Sequence, residues 1–186
     1  KYYENVRLLA GAMLHEDIGI EPGDVICILG SNRPEWVEMD LAAMTIGAIP
    51  AGIYQTCSPE EIQYILSHSE APIVLVENQA QWDKVASVRD QLPSLRHIIT
   101  MKDTKIDDDM TLEWQDFANR GVAGRVEVEG RLHNLNVEDN ATFIYTSGTT
   151  GPPKAVMLTH HNLAWTAKLA VGLVEQSEED CALSYL

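Results

Sequence analysis

Short, continuous apolar runs bounded by turn residues constrain the fold of this chain more than any other feature. Val25–Leu29 reads VICIL and Ile73–Val76 reads IVLV, so every side chain in both segments is apolar. This pattern is typical of strands buried on both faces of a sheet, because successive side chains point to opposite faces. We therefore expect Val25–Leu29 and Ile73–Val76 to be central strands. His97–Thr100 and Ala48–Tyr54 are predicted to be further strands of the same sheet.

Segments with helical spacing of apolar residues separate these runs. One helix is predicted over Tyr2–His15, and a second over Pro34–Ile46, where the proline suits a first helical turn. Ser58–His68 begins with a hydroxyl cap, a proline and two acids, which is a typical helix start. A fourth helix is predicted over Gln79–Gln91. Alternating strands and helices predict an α/β fold, a layered and largely parallel sheet flanked by helices.

The middle of the chain is polar and acidic. Asp107–Asp109 lack the alternating ligand pattern and the closing glutamate of a calcium loop, so a solvated loop is predicted there. Thr111–Trp114 is predicted to open a helix that ends near Gly121. Further helices are expected over Val126–Asn136 and Leu163–Leu173.

Composition and charge argue against several classes of function. The 186 residues include 28 acids and 13 basic residues, for a net charge of −15, so a nucleic acid partner is not expected. Cys27, Cys57 and Cys181 are odd in number and far apart, which favours a reducing compartment and a cytoplasmic location. Leu41–Pro59 is uncharged, but glycine, proline and polar residues interrupt it, so no transmembrane segment is predicted.

A loop rich in hydroxyl groups and glycine lies between two apolar runs, in the segment ATFIYTSGTTGPPKAVML, residues 141–158. Glycines leave backbone N–H groups accessible to an anion, hydroxyls add donors, and lysine adds a mobile positive charge. Two prolines stiffen the exit of the loop. The candidate phosphate loop comprises Thr146, Ser147, Gly148, Thr149, Thr150, Gly151, Pro152, Pro153 and Lys154.

A surface turn is the alternative interpretation, because glycine, proline, serine and threonine are typical of turns. A turn, however, needs neither four hydroxyls nor a lysine. The common G-x-x-x-x-G-K-[ST] pattern, which opens a helix, is not met, because the lysine follows Gly151 by three residues. The next apolar run, Ala155–Leu158, is too short for a helix. We therefore predict strand, loop and strand.

The six histidines do not form a metal-binding pattern. His160 and His161 follow the second apolar run and adjoin the loop in sequence, so we expect that either could contact a bound ligand. The other four, His15, His68, His97 and His133, lie alone on different predicted elements. No metal site built from histidine and cysteine is therefore predicted.

The segment YTSGTTGPPK, Tyr145 to Lys154, closely resembles the phosphate-loop signature of the AMP-forming, adenylate-forming ligases. These include acyl-CoA synthetases, the adenylation modules of peptide synthetases, and luciferases. The resemblance implies that the loop binds ATP, with Lys154 in a catalytic role and Thr146 as a Mg²⁺ ligand. Mg²⁺ is also expected because an acidic protein that binds ATP must offset two like charges. The family usually has glycine after the lysine, where this chain has Ala155, and a methyl group there requires a negative φ.

Three further segments resemble the N-terminal region of long-chain fatty acyl-CoA synthetases, including the bubblegum-type branch. They are GIEPGDVICILGSNRPEW (19–36), GAIPAGIYQT (47–56) and PEEIQYILSHSEA (59–71). The resemblance identifies residues 1–186 as the N-terminal part of an AMP-binding domain, the large domain of an adenylate-forming enzyme, truncated at its C-terminal end. It implies long-chain fatty acid–CoA ligase activity through an acyl-adenylate, with ATP and CoA as co-substrates. The fragment alone is expected to be inactive.

The same resemblance leaves two other functions open. An adenylation module for another carboxylic acid has the same phosphate loop. A non-catalytic relative keeps the fold and binds nucleotide or a partner. The family's C-terminal catalytic lysine, expected downstream of Leu186, would separate the second alternative from an enzyme. Peripheral association with membranes is compatible with the resemblance.

Overall fold

The computed structural model describes residues 2–146 and 151–173, and of Arg125 it describes the backbone. Within these ranges the chain forms one sheet with helices packed on both faces. Four predicted loop residues, Ser147, Gly148, Thr149 and Thr150, lie outside the described residues, as does Cys181.

Seven strands build the sheet. They are β1 (Val25–Leu29), β2 (Ile49–Ile53), β3 (Ile73–Val76), β4 (His97–Thr100), β5 (Thr111–Leu112), β6 (Asn140–Thr146) and β7 (Lys154–Thr159). Their spatial order is β5-β4-β3-β1-β2-β6-β7, with every pair parallel except β6 and β7. Each residue of β1 and β3 is buried, because both faces of the sheet are covered. The predicted α/β class and the two central strands are confirmed.

The helices follow the predicted alternation with the strands. They are α1 (Tyr2–Met13), α2 (Pro34–Thr45), α3 (Pro59–His68), α4 (Gln79–Val88), α5 (Trp114–Arg120), α6 (Arg125–Asn134) and α7 (His160–Leu173). A 3₁₀ turn over Arg89–Gln91 extends α4. At the start of α3, the Ser58 hydroxyl accepts from the Glu61 amide at 3.2 Å, and the Glu61 carboxylate accepts from the Ser58 amide at 2.8 Å. This reciprocal cap fixes the first turn of α3.

Successive side chains of the central strands point to opposite faces of the sheet. They therefore contribute to two apolar cores, one on each face. Ile26 and Ile28 pack with α1, α2, α5 and α6 in the first core. Val25, Cys27 and Leu29 pack with α3 and α4 in the second core. No side of β1 therefore faces solvent. Burial raises the pKa of the Cys27 thiol to about 12, so this cysteine is protonated and serves as a packing residue at neutral pH.

The contact between α1 and α5 is close enough to require glycine. Gly121 follows the last residue of α5, and a Cβ atom on it would lie 1.7 Å from the carbonyl oxygen of Leu8. Gly11 of α1 faces the same contact, where its Cβ position lies 2.6 Å from the carbonyl oxygen of Gly121. The two segments therefore meet backbone to backbone.

The predicted start of α5 is wrong. Thr111–Leu112 pairs in parallel with Ile98–Ile99 of β4, so these residues form an edge strand and the helix begins at Trp114. The free edge of β4 offers backbone hydrogen bonds to a neighbouring segment. The local sequence pattern, which indicated a helix, contains no information about this edge. The acidic segment before it is a loop, as predicted, and its Asp108 pairs with Arg89 at 2.7 Å.

Helix α7 begins three residues earlier than predicted, at His160. The Asn162 side chain accepts from the Thr159 amide at 2.9 Å, and the Thr159 hydroxyl accepts from the Asn162 amide at 3.2 Å. This pair of bonds caps the helix directly after β7. The two histidines between them are therefore in the first helical turn.

Candidate phosphate-binding site

The candidate phosphate loop joins β6 to β7 at the carboxyl-terminal edge of the parallel sheet. β6 runs parallel to β2, with Ala51 opposite Phe143 and Gly52 opposite Ile144. Since parallel strands end at the same edge, the loop begins beside the ends of β1 and β2. Open α/β sheets bind ligands at this edge. The predicted arrangement of strand, loop and strand is confirmed for both strands.

Thr146 and Lys154 are cross-strand partners at the loop end of this hairpin. Directly opposite residues of an antiparallel pair share one face of the sheet, with Cβ atoms about 5 Å apart. Both side chains are exposed, and in the described part of the chain Lys154 has no ion-pair partner. The Thr146 hydroxyl lies 3.5 Å from the Lys154 carbonyl oxygen, to which it donates at the limit of hydrogen bonding. The hairpin thus presents a hydroxyl and an ammonium group side by side.

Three other predicted loop residues are described. Gly151 has a φ of +129°, and a Cβ atom on it would meet no atom within 4 Å. The backbone conformation, not a close neighbour within the described chain, therefore requires glycine there. Pro152 is exposed and Pro153 is half-buried at the loop exit.

Ala155, the departure from the family pattern, fits its place in β7. It lies opposite Tyr145 and packs against the second core. The non-glycine residues with positive φ in the described ranges are Glu70 and Asp103, so Ala155 has a negative φ. The condition for tolerating its methyl group is met.

Tyr145, the residue before the loop, is anchored from another element. Its side chain is 5% exposed and belongs to the second core. Its hydroxyl oxygen lies 2.9 Å from Nδ1 of His68, at the end of α3. Burial raises the pKa of Tyr145 to about 12, so the phenol is protonated at neutral pH. α3 thus brings His68 to a residue 77 positions away in the chain, a contact that the sequence pattern did not indicate.

A cavity of about 360 Å³ lies beside the hairpin, between α2 and β6. Trp36 and Met44 contribute apolar surface from α2, and Asp40 lies between them on the same helix. Ile144, which shares a strand face with Thr146, lines the opposite side. Burial raises the pKa of Asp40 from an ordinary value of 3.8 to about 6. The sequence pattern gave no sign of this cavity, because its walls come from elements far apart in the chain.

The fold carries His160 and His161 away from the loop. The preceding residue, Thr159, pairs with Asn140 at the opposite end of the hairpin from Thr146. With strand residues spaced about 3.3 Å apart, β7 separates the histidines from the loop by roughly 17 Å. His161 Nδ1 lies instead 3.0 Å from a carboxylate oxygen of Glu138. The expectation that either histidine contacts a ligand in the loop is wrong.

Metal ligands are sparse around the hairpin. Among residues 2–146 and 151–173, no group of three or more histidine, cysteine, aspartate or glutamate side chains could hold a metal ion. The exposed hydroxyl of Thr146 is an oxygen ligand of the kind that Mg²⁺ accepts. In the same ranges, no helix is both long and apolar enough to cross a bilayer.

A mostly parallel α/β sheet with a loop at its carboxyl edge is an architecture that many nucleotide-binding domains share. Comparison with known proteins gives a narrower assignment. The family model described as AMP-binding enzyme matches residues 1–186, and the chain belongs to this family. The resemblance seen in the sequence is confirmed.

Relatives and solved structures agree with this assignment. The chain is 37% identical over 192 residues to the long-chain-fatty-acid–CoA ligase ACSBG2 of Xenopus laevis, covering 100% of this chain and 26% of that protein. It is 32% identical over 194 residues to the ligase ACSBG1 of Homo sapiens, with coverage of 100% and 26%. The crystal structure of the anthranilate CoA ligase AuaEII with anthranoyl-AMP matches with a TM-score of 0.74 at 25% identity, covering 90% of this chain and 30% of that chain. The chain spans about a quarter of the length of the curated relatives.

Proposed function

We propose that this chain carries the phosphate-binding part of an AMP-forming long-chain fatty acid–CoA ligase. The observation that carries the proposal is the side-by-side placement of Thr146 and Lys154 at the carboxyl edge of the sheet, within a chain of the AMP-binding enzyme family. Residues 1–186 are then the N-terminal part of the AMP-binding domain. A cytoplasmic location with peripheral attachment to membranes is part of the same proposal.

The reaction has two steps, and the loop serves the first. A fatty acid carboxylate attacks the α-phosphorus of ATP, which forms acyl-AMP and releases pyrophosphate. The CoA thiol then attacks the acyl carbon and displaces AMP. Phosphoryl chemistry of this kind depends on positioning and on stabilisation of phosphate charge. Lys154 supplies a positive charge for the β and γ phosphates, and the hydroxyls and amides of residues 146–151 supply hydrogen-bond donors.

The described part of the hairpin offers an oxygen ligand for the implied Mg²⁺, the hydroxyl of Thr146. The described chain offers no carboxylate cluster for a resident metal. Within the described chain, Thr146 Oγ1 would then be the protein ligand to an ion that ATP brings with its phosphates. Bound there, Mg²⁺ would supply neutralisation of phosphate charge. Lys154 contributes the same sign of charge from the protein side.

The preference for a long-chain fatty acid is supported by the relatives. Both curated relatives described above bear the name long-chain-fatty-acid–CoA ligase. An adenylation module for another carboxylic acid would use the same loop but a different acid. A non-catalytic relative would bind nucleotide without turnover.

The test uses the full-length protein and measures pyrophosphate release at saturating MgATP. Palmitate should stimulate release, whereas amino acids should not, and CoA should convert the product to palmitoyl-CoA and AMP. Release with an amino acid or a short carboxylic acid, but not palmitate, would assign the protein to another branch of the family. No acid-dependent release despite MgATP binding would identify a non-catalytic relative.

A further inference from the structure

We propose that His68 is a positioning residue for the candidate phosphate loop, acting through its hydrogen bond to Tyr145. This inference rests on the proposed function, because it concerns the loop that would bind ATP. His68 lies 77 residues before Tyr145 in the chain, at the last position of α3. Its hydrogen bond is to Tyr145, the residue before the loop, so its effect on Thr146 and Lys154 passes through the tyrosine.

The geometry around the Tyr145 hydroxyl is specific. His68 Nδ1 lies 2.9 Å from the oxygen, and the two rings meet edge to face with centroids 5.8 Å apart. Tyr64, one helical turn earlier, stacks on the imidazole with ring centroids 5.6 Å apart. Ser69 donates its hydroxyl proton to the carbonyl of Ile65 at 2.7 Å, so that proton is already committed to the helix. The imidazole thus contacts two aromatic rings, and its Nδ1 lies within hydrogen-bond distance of the phenol.

The buried phenol needs such a partner. Tyr145 is 5% exposed, and a hydroxyl buried among apolar groups is destabilised unless it forms a hydrogen bond. His68 itself is exposed, so its ring forms the boundary between this hydroxyl and solvent. When the imidazole nitrogen is removed, the Ser69 hydroxyl, which also neighbours the phenol, is the remaining partner, and we expect the end of β6 to shift as the phenol turns towards it.

The direction of the Tyr145 side chain determines which face of the sheet Thr146 and Lys154 occupy. Successive strand residues face opposite sides, so a Tyr145 side chain fixed in the second core directs Thr146 to the other face. Lys154 lies opposite Thr146, and Ala155 lies opposite Tyr145. One anchored side chain therefore sets the face on which both candidate phosphate ligands lie. The start of α3 is fixed by its own cap at Ser58, which makes the helix a firm support.

The test uses four variants of the full-length protein. His68→Phe keeps the ring stacked on Tyr64 but removes Nδ1, and Tyr145→Phe removes the phenol oxygen. His68→Asn places an amide near the former Nδ1 position and serves as the conservative variant. His133→Phe is the matched control, since this exposed histidine on α6 contacts the Glu129 carbonyl of its own helix.

Two readouts separate positioning from simple structural support. We expect His68→Phe and Tyr145→Phe each to lower kcat/KM for MgATP by roughly tenfold, measured as palmitate-dependent pyrophosphate release. A tenfold loss corresponds to the free energy that one hydrogen bond contributes to positioning the loop. The KM for palmitate should stay unchanged. The double variant should be no worse than either single variant, because both remove the same bond. His68→Asn should recover most of the activity, and His133→Phe should match the wild type.

The second readout is the rise in melting temperature that MgATP produces without fatty acid, which should shrink in His68→Phe and Tyr145→Phe. Wild-type kinetics in both variants, additive losses in the double variant, or no recovery in His68→Asn would overturn the proposal. A wild type that binds MgATP but does not respond to palmitate would contradict the proposed ligase function, while the melting readout would still decide the role of His68. A wild type that neither turns over nor binds MgATP would overturn both.

Discussion

The centre of the sheet and its β6–β7 edge differ in how their side chains are covered. Every residue of β1 and β3 is buried between the two helical layers. By contrast, no residue of β7 is buried in the described structure, and α7 has no buried residue either. Trp165 of α7 is 58% exposed and Met157 of β7 is 63% exposed.

This difference in burial distinguishes side chains whose identity is set by packing from side chains whose identity is not. Ile28 is in place because both faces of β1 must be apolar. Thr146 and Lys154 are exposed, so packing places few demands on which side chains they carry. The proposed phosphate binding gives a reason for the identity of these two side chains that packing within the described chain does not. A packed sheet that carries exposed polar side chains at one edge is the arrangement expected of a ligand-binding site.

The largest expected effect is at the glycine contact between α1 and α5. Gly121→Ala would place a methyl group against the backbone of Leu8, so we expect a loss of about 3 kcal/mol or more of unfolding free energy. The matched control is Gly172→Ala in α7, where a Cβ atom meets nothing within 4 Å among the described residues. That variant should be equal or up to about 1 kcal/mol more stable, since alanine favours helix.

Chemical denaturation of both variants in the full-length protein checks this contrast between the two regions. Equal stability of the two variants would show that the α1–α5 contact is not as close as described, or that α7 is equally constrained.

The next effect concerns Asp40, at the boundary between the two regions. Its raised pKa means that the folded protein holds this proton more tightly than the unfolded chain does. The stability from the neutral carboxyl is fully present below pH 4 and is lost as the pH rises through about 6. Asp40→Asn should therefore stabilise the protein at pH 7.5 by about 1–3 kcal/mol and have no effect near pH 4.

Thermal or urea unfolding of wild type and Asp40→Asn across this pH range measures the difference directly. A stability difference that does not change with pH would contradict the assigned titration of Asp40.

Much of the packed region was predictable from sequence, because local patterns there agree with the fold. The VICIL run specified a strand buried on both faces, and the Ser58 start specified the capped α3. The incorrect predictions concern residues whose secondary structure depends on tertiary contacts. Thr111–Leu112 became a strand because β4 offered a free edge.

The candidate site was predictable in composition but not in geometry. The hydroxyls, glycines and Lys154 predict a phosphate loop, yet nothing local indicated that Thr146 and Lys154 would be cross-strand neighbours. The His68 contact with Tyr145 joins residues from α3 and β6, so periodicity within one segment could not reveal it. His160 and His161 were misplaced for the opposite reason, since nearness in sequence was taken for nearness in space.

The smallest expected effect is at Ala155. Its methyl group packs on the second core opposite Tyr145, and glycine within a strand costs about 0.5–1 kcal/mol relative to alanine. We expect Ala155→Gly to melt slightly earlier and to keep turnover equal to or modestly above that of the wild type. A large gain in turnover would show that the methyl group obstructs the loop.

The most direct test of the account is Lys154→Ala in the full-length protein, compared with Lys168→Ala, which removes an exposed lysine from α7. The measurement is the rate of palmitoyl-adenylate formation at saturating MgATP, with thermal melting of both variants. A charge-assisted hydrogen bond contributes roughly 1.5–3 kcal/mol, so the account predicts a loss of one or more orders of magnitude for Lys154→Ala with unchanged melting. Lys168→Ala should match the wild type. A well-folded Lys154→Ala enzyme with full activity would contradict the assignment of the hairpin as the phosphate-binding site.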